Sequence, residues 1–237
     1  MKKDVQKAAK LASSTGSTGG GIVKEIAGRT VVHEANSVDS GYQQLIDLPP
    51  EDQYYLDYTI TFRNEFDWET RDRISGKIPG LAGGTGTSGC RPTEPNGWSA
   101  RSVFLKDGAM TVYVYHQLKK NRCGEGGIWK NPDGSRFKFT KGREYRVTQR
   151  VKVNTPNVSN GENQIWVDGV EVFDRRDYRF RGNVSASTAR VDLIKYHNYY
   201  GGSIIKCAPS YKSYVDIGKM FVQTCAPDFS KPPGNCK

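Results

Sequence analysis

The sequence predicts an all-β chain, an antiparallel sandwich of two curved sheets, and three observations predict it. From Thr30 onward, short β-patterned runs follow one another, separated by Gly, Pro, Asn and Asp. Within these runs apolar and polar residues alternate with a period of two, the signature of a strand with one buried face. No helical pattern extends beyond a few turns, and no internal repeat is evident. A chain of 237 residues is a usual size for one large sandwich, and 36% hydrophobic content suits sheets that show water half of their positions.

The elements follow in order. Residues 1–28 read as a basic N-terminal stub and linker: Met1 to Lys10 is basic, and SSTGSTGGG from Ser13 to Gly21 has the composition of a flexible tether. A single domain is expected over 29–237, the working part of a longer protein. YYLDYTITFR places Tyr54, Leu56, Tyr58, Ile60 and Phe62 on an inner face, with Tyr55, Asp57, Thr59, Thr61 and Arg63 on the other. GKIPGLAGGTGTSG is too poor in polar groups for a surface linker and too Gly-rich for a regular strand interior. A close approach to another backbone or a ligand is expected there, holding Lys77 near the sheet.

GWSARSVF puts Ser99, Arg101 and Val103 on one face, and MTVYVYHQ does the same for Thr111, Tyr113, Tyr115 and Gln117. The two runs are expected to form a hairpin around Lys106 to Ala109. A two-residue turn at Asp107-Gly108 would set Arg101 and the tyrosines on opposite faces, so an odd-length loop or a bulge is required if they are to meet. A three-residue loop would pair Val103 with Tyr113 and Arg101 with Tyr115. Further on, REYRVTQRVKVN turns Tyr145, Val147, Val151 and Val153 inward and Arg146, Thr148, Arg150 and Lys152 outward. QIWVDGVEVF is a hairpin turning at Asp168-Gly169, and RVDLIKYHNYY and YVDIGKMFVQ complete the set.

Lys plus Arg total 35 against 25 Asp plus Glu, a formal charge of +10, which points to an anionic partner. The cations are scattered through strands and loops instead of gathered into a helix, arm or recognisable module, which disfavours nucleic acid. No apolar run is long enough to span a membrane, and the N-terminus lacks the apolar core of a secretion signal. The five cysteines lack the close pairing of a zinc site; a Cys90–Cys123 disulfide and five reduced thiols both remain open. Three dispersed histidines argue against a catalytic metal, and no cofactor is expected.

Lys77, Ser99, Arg101, Tyr113 and Tyr115 are the groups needed to take a proton from beside a carboxylate. Arg101 offers a permanently charged fork for the carboxylate, and Ser99 a further hydrogen bond to it. Lys and Tyr titrate near ~10 in water, so a base near neutrality needs help, which clustered cations provide. Arg91, Gln117, Arg150, Lys195 and His197 are candidates to line a groove on a concave sheet, where an extended anionic polymer would fit. A glycoside hydrolase would need two positioned carboxylates, and no compact Glu/Asp motif supplies them.

Taken together and in this order, GKIPGL, TSGC, SAR, the YVY strand, QRVKVNTP, WVDGVEV and YYGGS resemble the polysaccharide lyases of family 14, most closely the alginate lyase type of chlorella viruses. The resemblance implies a β-jelly roll with a concave substrate groove, and β-elimination on 1,4-linked polyuronates such as alginate or glucuronic-acid-containing cell-wall polysaccharide. It places the active-site pattern on Lys77, Ser99, Arg101, Tyr113 and Tyr115. It further implies a soluble monomer without nucleic-acid or membrane partners, made in a host cell and acting on its wall. Lys77 as base with Tyr113 or Tyr115 as acid is the first reading of the roles; one tyrosine serving both is the second. A noncatalytic binding module for acidic polysaccharide is the alternative function.

Overall fold

Aromatic and β-branched side chains that recur at every second position favour a pleated, half-buried strand. Strand β4 (Gln53–Phe62) meets that expectation: Tyr54, Leu56, Tyr58, Ile60 and Phe62 are all fully buried. The structure is a computed structural model describing residues 21–68, 76–201 and 207–237.

Among the described residues the strands form two antiparallel sheets. The larger has the order β1 (Ile22–Ile26), β14 (Met220–Gln223), β4, β9 (Glu144–Lys152), β10 (Gly161–Val167) and β11 (Val170–Tyr178). Strands β13 (Ser213–Ile217) and β2 (Arg29–His33) extend it from the other half of β4. The smaller runs β3 (Tyr42–Glu51), β12 (Val191–Tyr200), β5 (Gly76–Gly84), β6 (Gly97–Phe104), β7 (Met110–Tyr115) and β8 (Glu125–Ile128). Neighbours so distant in sequence as β12 and β5 require long crossovers, the mark of a β-jelly roll. Between the sheets, Phe62, Phe66, Trp68, Phe104 and Tyr200 interlock, with Phe66 and Tyr200 stacked at 5.5 Å.

The hairpin at Asp168-Gly169 is as expected: Val167 pairs with Val170, and both turn residues have positive φ, 50° and 81°. Two expectations need correction. Ile22–Ile26 lies within the stretch assigned to the stub, yet pairs with β14, so the larger sheet takes in residues before 29. The stub proper, 1–20, lies outside the described residues. Asp57, expected on a water-facing side, is fully buried because the C-terminal segment closes over it. Arg146 binds its carboxylate through two nitrogens at 2.9 and 2.6 Å, Thr148 donates at 2.8 Å and the Gly234 N–H at 3.1 Å. Arg146 in turn donates to the carbonyls of Asp228 and Lys231. A buried carboxylate is tolerable when its lone pairs are filled in this way.

Candidate active site

The glycine-rich segment expected to avoid a regular strand is strand β5, and its irregularity lies at one place. Pro79 has no N–H to give a ladder, and pairing with β6 breaks between Ile78 and Leu81. Gln149 of β9 crosses from the opposite sheet to fill the gap, accepting from the Leu81 N–H at 3.0 Å and donating to the Ala100 carbonyl at 2.9 Å. Gly80 permits the close approach, since a Cβ there would fall 2.5 Å from the Ala100 carbonyl oxygen. The close backbone approach was therefore legible; its place inside a central strand was not.

Strand alternation then sends Lys77 of β5, Arg101 of β6, Tyr113 and Tyr115 of β7, and Lys195 and His197 of β12 to the outer face of the smaller sheet. The β6–β7 loop has odd length, as the clustering of these groups demanded, but it spans five residues, not three. A 3₁₀ turn at Lys106–Gly108 fills it, so Arg101 pairs with Tyr113 and Ser99 with Tyr115, two residues from the expected register.

Arg101 is the centre of the cluster and is only 2% exposed. Its Nη1 donates to Nδ1 of His197 at 3.1 Å, which fixes that imidazole as neutral with its proton on Nε2. Burial, with the charges of Arg101, Lys195 and Lys77, holds the His197 pKa down to about 3. Lys77, buried beside Arg101, has its pKa lowered to about 7, first by burial and then by that charge. Lys195, donating to Ser88 Oγ at 2.9 Å, is lowered to about 8 by burial and by Arg101 and Arg91. Among the described residues none of Lys77, Arg91, Arg101 and Lys195 is paired with a carboxylate. Buried positive charge without a counterion is costly, and an anionic ligand relieves it.

The tyrosines complete the site. The Lys77 Nζ stands 4.4 Å from the centroid of the Tyr113 ring. Tyr115 donates to the Tyr113 oxygen at 3.4 Å and accepts from the Cys90 N–H at 2.8 Å. Burial pushes the Tyr113 pKa up to about 12, against smaller opposing effects of the Gly124 backbone and Arg101. Tyr113 thus keeps its proton through neutral pH. It is the half-buried member of the pair, while Tyr115 is fully buried.

Not every expected residue joins this group. Ser99 is 0% exposed and donates to the Thr87 carbonyl at 2.7 Å, so it pins the 85–96 loop over the face and does not reach for a carboxylate. Arg150 is on the outer side of the other sheet, engaged with Gln53, Glu162 and Gln164. Alternation could not say which sheet its strand would join. Gln117 lies beyond the end of β7 and donates to the carbonyls of Glu94 and Phe180, a loop-holding role. Arg91 is exposed at the rim, near enough to Lys195 to affect its titration. The Cys90–Cys123 disulfide is formed, as is Cys225–Cys236, while Cys207 is a free thiol. Gln149 and Cys90 are contributors that alternation alone did not single out.

The sequence model of the family described as Polysaccharide lyase 14 matches residues 30–220. Among solved structures, the alginate lyase Aly36B superposes with a TM-score of 0.71 at 25% identity, over 85% of this chain and 82% of its own. The alginate lyase vAL-1 from Chlorella virus gives 0.64 at 15% identity, over 83% and 84%. The endo-β-1,4-glucuronan lyase from the fungus Trichoderma reesei gives 0.50 at 14%, over 82% and 79%. No curated protein matches the chain.

Proposed function

The chain belongs to polysaccharide lyase family 14, and from that premise we propose that it cleaves 1,4-linked polyuronates by β-elimination, with Lys77 as base and Tyr113 as acid. The observation that carries the reading is a buried amine, 4.4 Å from the Tyr113 ring, beside a buried arginine that no carboxylate of the described residues neutralises.

Elimination needs the uronate carboxylate neutralised, the proton on carbon 5 removed, and the oxygen on carbon 4 protonated as it leaves. Arg101 receives the carboxylate: Nη1 is committed to His197, and Nη2 makes no hydrogen bond among the described residues. The Nε2–H of His197 is a second donor on the same face. Charge that builds on the carboxylate as the carbon 5 proton departs is stabilised by this fixed pair without reorganisation. Neutral Lys77 takes that proton. The electron pair of the broken C–H bond becomes the double bond between carbons 4 and 5, and the bond from carbon 4 to the glycosidic oxygen breaks. Tyr113 protonates the departing oxygen, and Tyr115, hydrogen-bonded to it, steadies the phenolate that results.

Lys77 and Tyr113 touch, so base and acid approach the sugar from one side. In β-D-mannuronate and β-D-glucuronate the carbon 5 proton and the carbon 4 oxygen share a ring face, whereas in α-L-guluronate they are opposed. This supports mannuronate and glucuronate chains as substrates over guluronate. The test is digestion of polymannuronate, glucuronan and polyguluronate, read by mass spectrometry. Elimination gives fragments lighter by one water than hydrolysis products, with ultraviolet-absorbing ends, and polyguluronate should be cut slowest. Retention on the polymers without any new ends would instead make the chain a binding module.

A further inference from the structure

The Cys90–Cys123 disulfide takes no part in that chemistry, yet it lies against both tyrosines. On one side the Cys90 N–H donates to the Tyr115 oxygen at 2.8 Å, and that oxygen is 3.9 Å from the Cys90 sulfur. On the other, Gly124, next in the chain to Cys123, lies against the Tyr113 ring so closely that a Cβ there would come within 3.0 Å of three ring carbons. The bond joins the 85–96 loop, which Ser99 and Lys195 hold over the sheet at Thr87 and Ser88, to the segment between β7 and β8. The two tyrosines are therefore seated between the two halves of one crosslink.

Resting on the elimination reading, we infer that the Cys90–Cys123 disulfide is a positioning element for the Tyr113–Tyr115 pair, and that its reduction by a dithiol turns catalysis down. Both cysteines are partly exposed, and the exposed Arg91 and Arg122 adjoin them in the chain. Positive charge beside a sulfur favours the thiolate that must leave in thiol–disulfide exchange. A thiolate of the dithiol attacks one sulfur and the S–S bond breaks. The second thiol of the dithiol resolves the mixed disulfide. Two electrons and two protons end on Cys90 and Cys123 as thiols, and the dithiol becomes a disulfide. The part of the loop beyond Ser88, no longer tied to the segment between β7 and β8, can then carry the Cys90 N–H away from Tyr115. A displacement of about 1 Å in a reacting group is enough to cost ~10²-fold in rate. Lys77 and Arg101 sit on strands and keep their places, so substrate binding persists.

The test uses the full chain, titrated with dithiothreitol, beside a C90S/C123S variant and a C225S/C236S control. Turnover is followed by the absorbance of unsaturated ends, binding of a mannuronate oligosaccharide by tryptophan fluorescence, and folding by thermal melts. Reduction of Cys90–Cys123 is expected to lower kcat by roughly tenfold or more, up to the ~10²-fold of a misplaced group. KM and oligosaccharide affinity should stay within about threefold, and reoxidation should restore kcat. The C225S/C236S protein should keep wild-type kcat and respond to reductant as wild type does. Full kcat in a folded C90S/C123S or fully reduced enzyme overturns the inference, as does a fall in affinity equal to the fall in kcat. If C90S/C123S does not fold, the reductant titration of the native chain decides alone. If the oxidised enzyme cuts no polyuronate, it is the elimination reading that fails.

Discussion

Replacing Lys77 by Met should abolish catalysis and make the protein more stable. The Met side chain fills nearly the same space without a charge, so the change removes mainly the cost of a buried amine. That cost follows from the lowering of the Lys77 pKa from 10.5 to about 7 by burial and by Arg101. Because the folded-state value lies below the unfolded one, the unfolded chain binds more protons, and stability rises with pH between about 7 and 10.5. Below pH 7 the whole penalty applies, roughly 3–5 kcal/mol at ~1.4 kcal/mol for each tenfold change in proton affinity. At pH 9.5 only about 1–1.5 kcal/mol of it remains by the same reckoning. Urea denaturation of wild type and Lys77→Met at pH 6.5 and pH 9.5, with equal m-values, reads both numbers. The variant should be the more stable at pH 6.5, and its advantage should shrink on going to pH 9.5. An equal or lower stability of the variant at pH 6.5 would refute the claim that the amine is held in a site that disfavours its charge.

The same titration governs activity. kcat/KM should rise with pH through about 7 as Lys77 loses its proton and stay level into the alkaline range, because Tyr113 is held up at about 12; a pH–rate profile on polymannuronate checks it. Arg101→Lys keeps the charge but loses both the fork and the bond to His197, and kcat/KM should fall by ~10²-fold in steady-state assays. Ser99→Ala removes the bond to the Thr87 carbonyl, so it should cost about 1 kcal/mol in a melt and change KM by less than about threefold.

Much of the face that carries the site could be read from the chain, because a period of two assigns each side chain to one side of its strand. That period gathers Lys77, Arg101, Tyr113 and Tyr115 on one face, given a hairpin loop of odd length. The loop's actual length was hidden, because it rests on distant contacts. Asp107 and Gly108 take φ of 57° and 73°, and the turn is held by the Phe139 N–H donating to the Gly108 carbonyl at 2.9 Å. Arg150 lies on the larger sheet, away from the site, for a related reason: alternation separates the two faces of a strand but does not say in which sheet the strand lies. The role of Gln149 has no signal in its own strand, because it depends on a gap made by Pro79 in the other sheet. Ser99 shows a limit of another kind: its hydroxyl is on the expected face, but the loop that covers that face claims it.

The central claim is that Lys77, neutral beside Arg101, removes the carbon 5 proton of a polyuronate. It is tested most directly by single-turnover rates of unsaturated-end formation on polymannuronate, protonated or deuterated at carbon 5, by wild type and by Lys77→Ala. The account predicts a primary isotope effect in wild type and a loss of at least ~10³-fold in Lys77→Ala with oligosaccharide binding retained. A Lys77→Ala enzyme that forms unsaturated ends at the wild-type rate, with its isotope effect unchanged, would contradict it and move the base to a tyrosine.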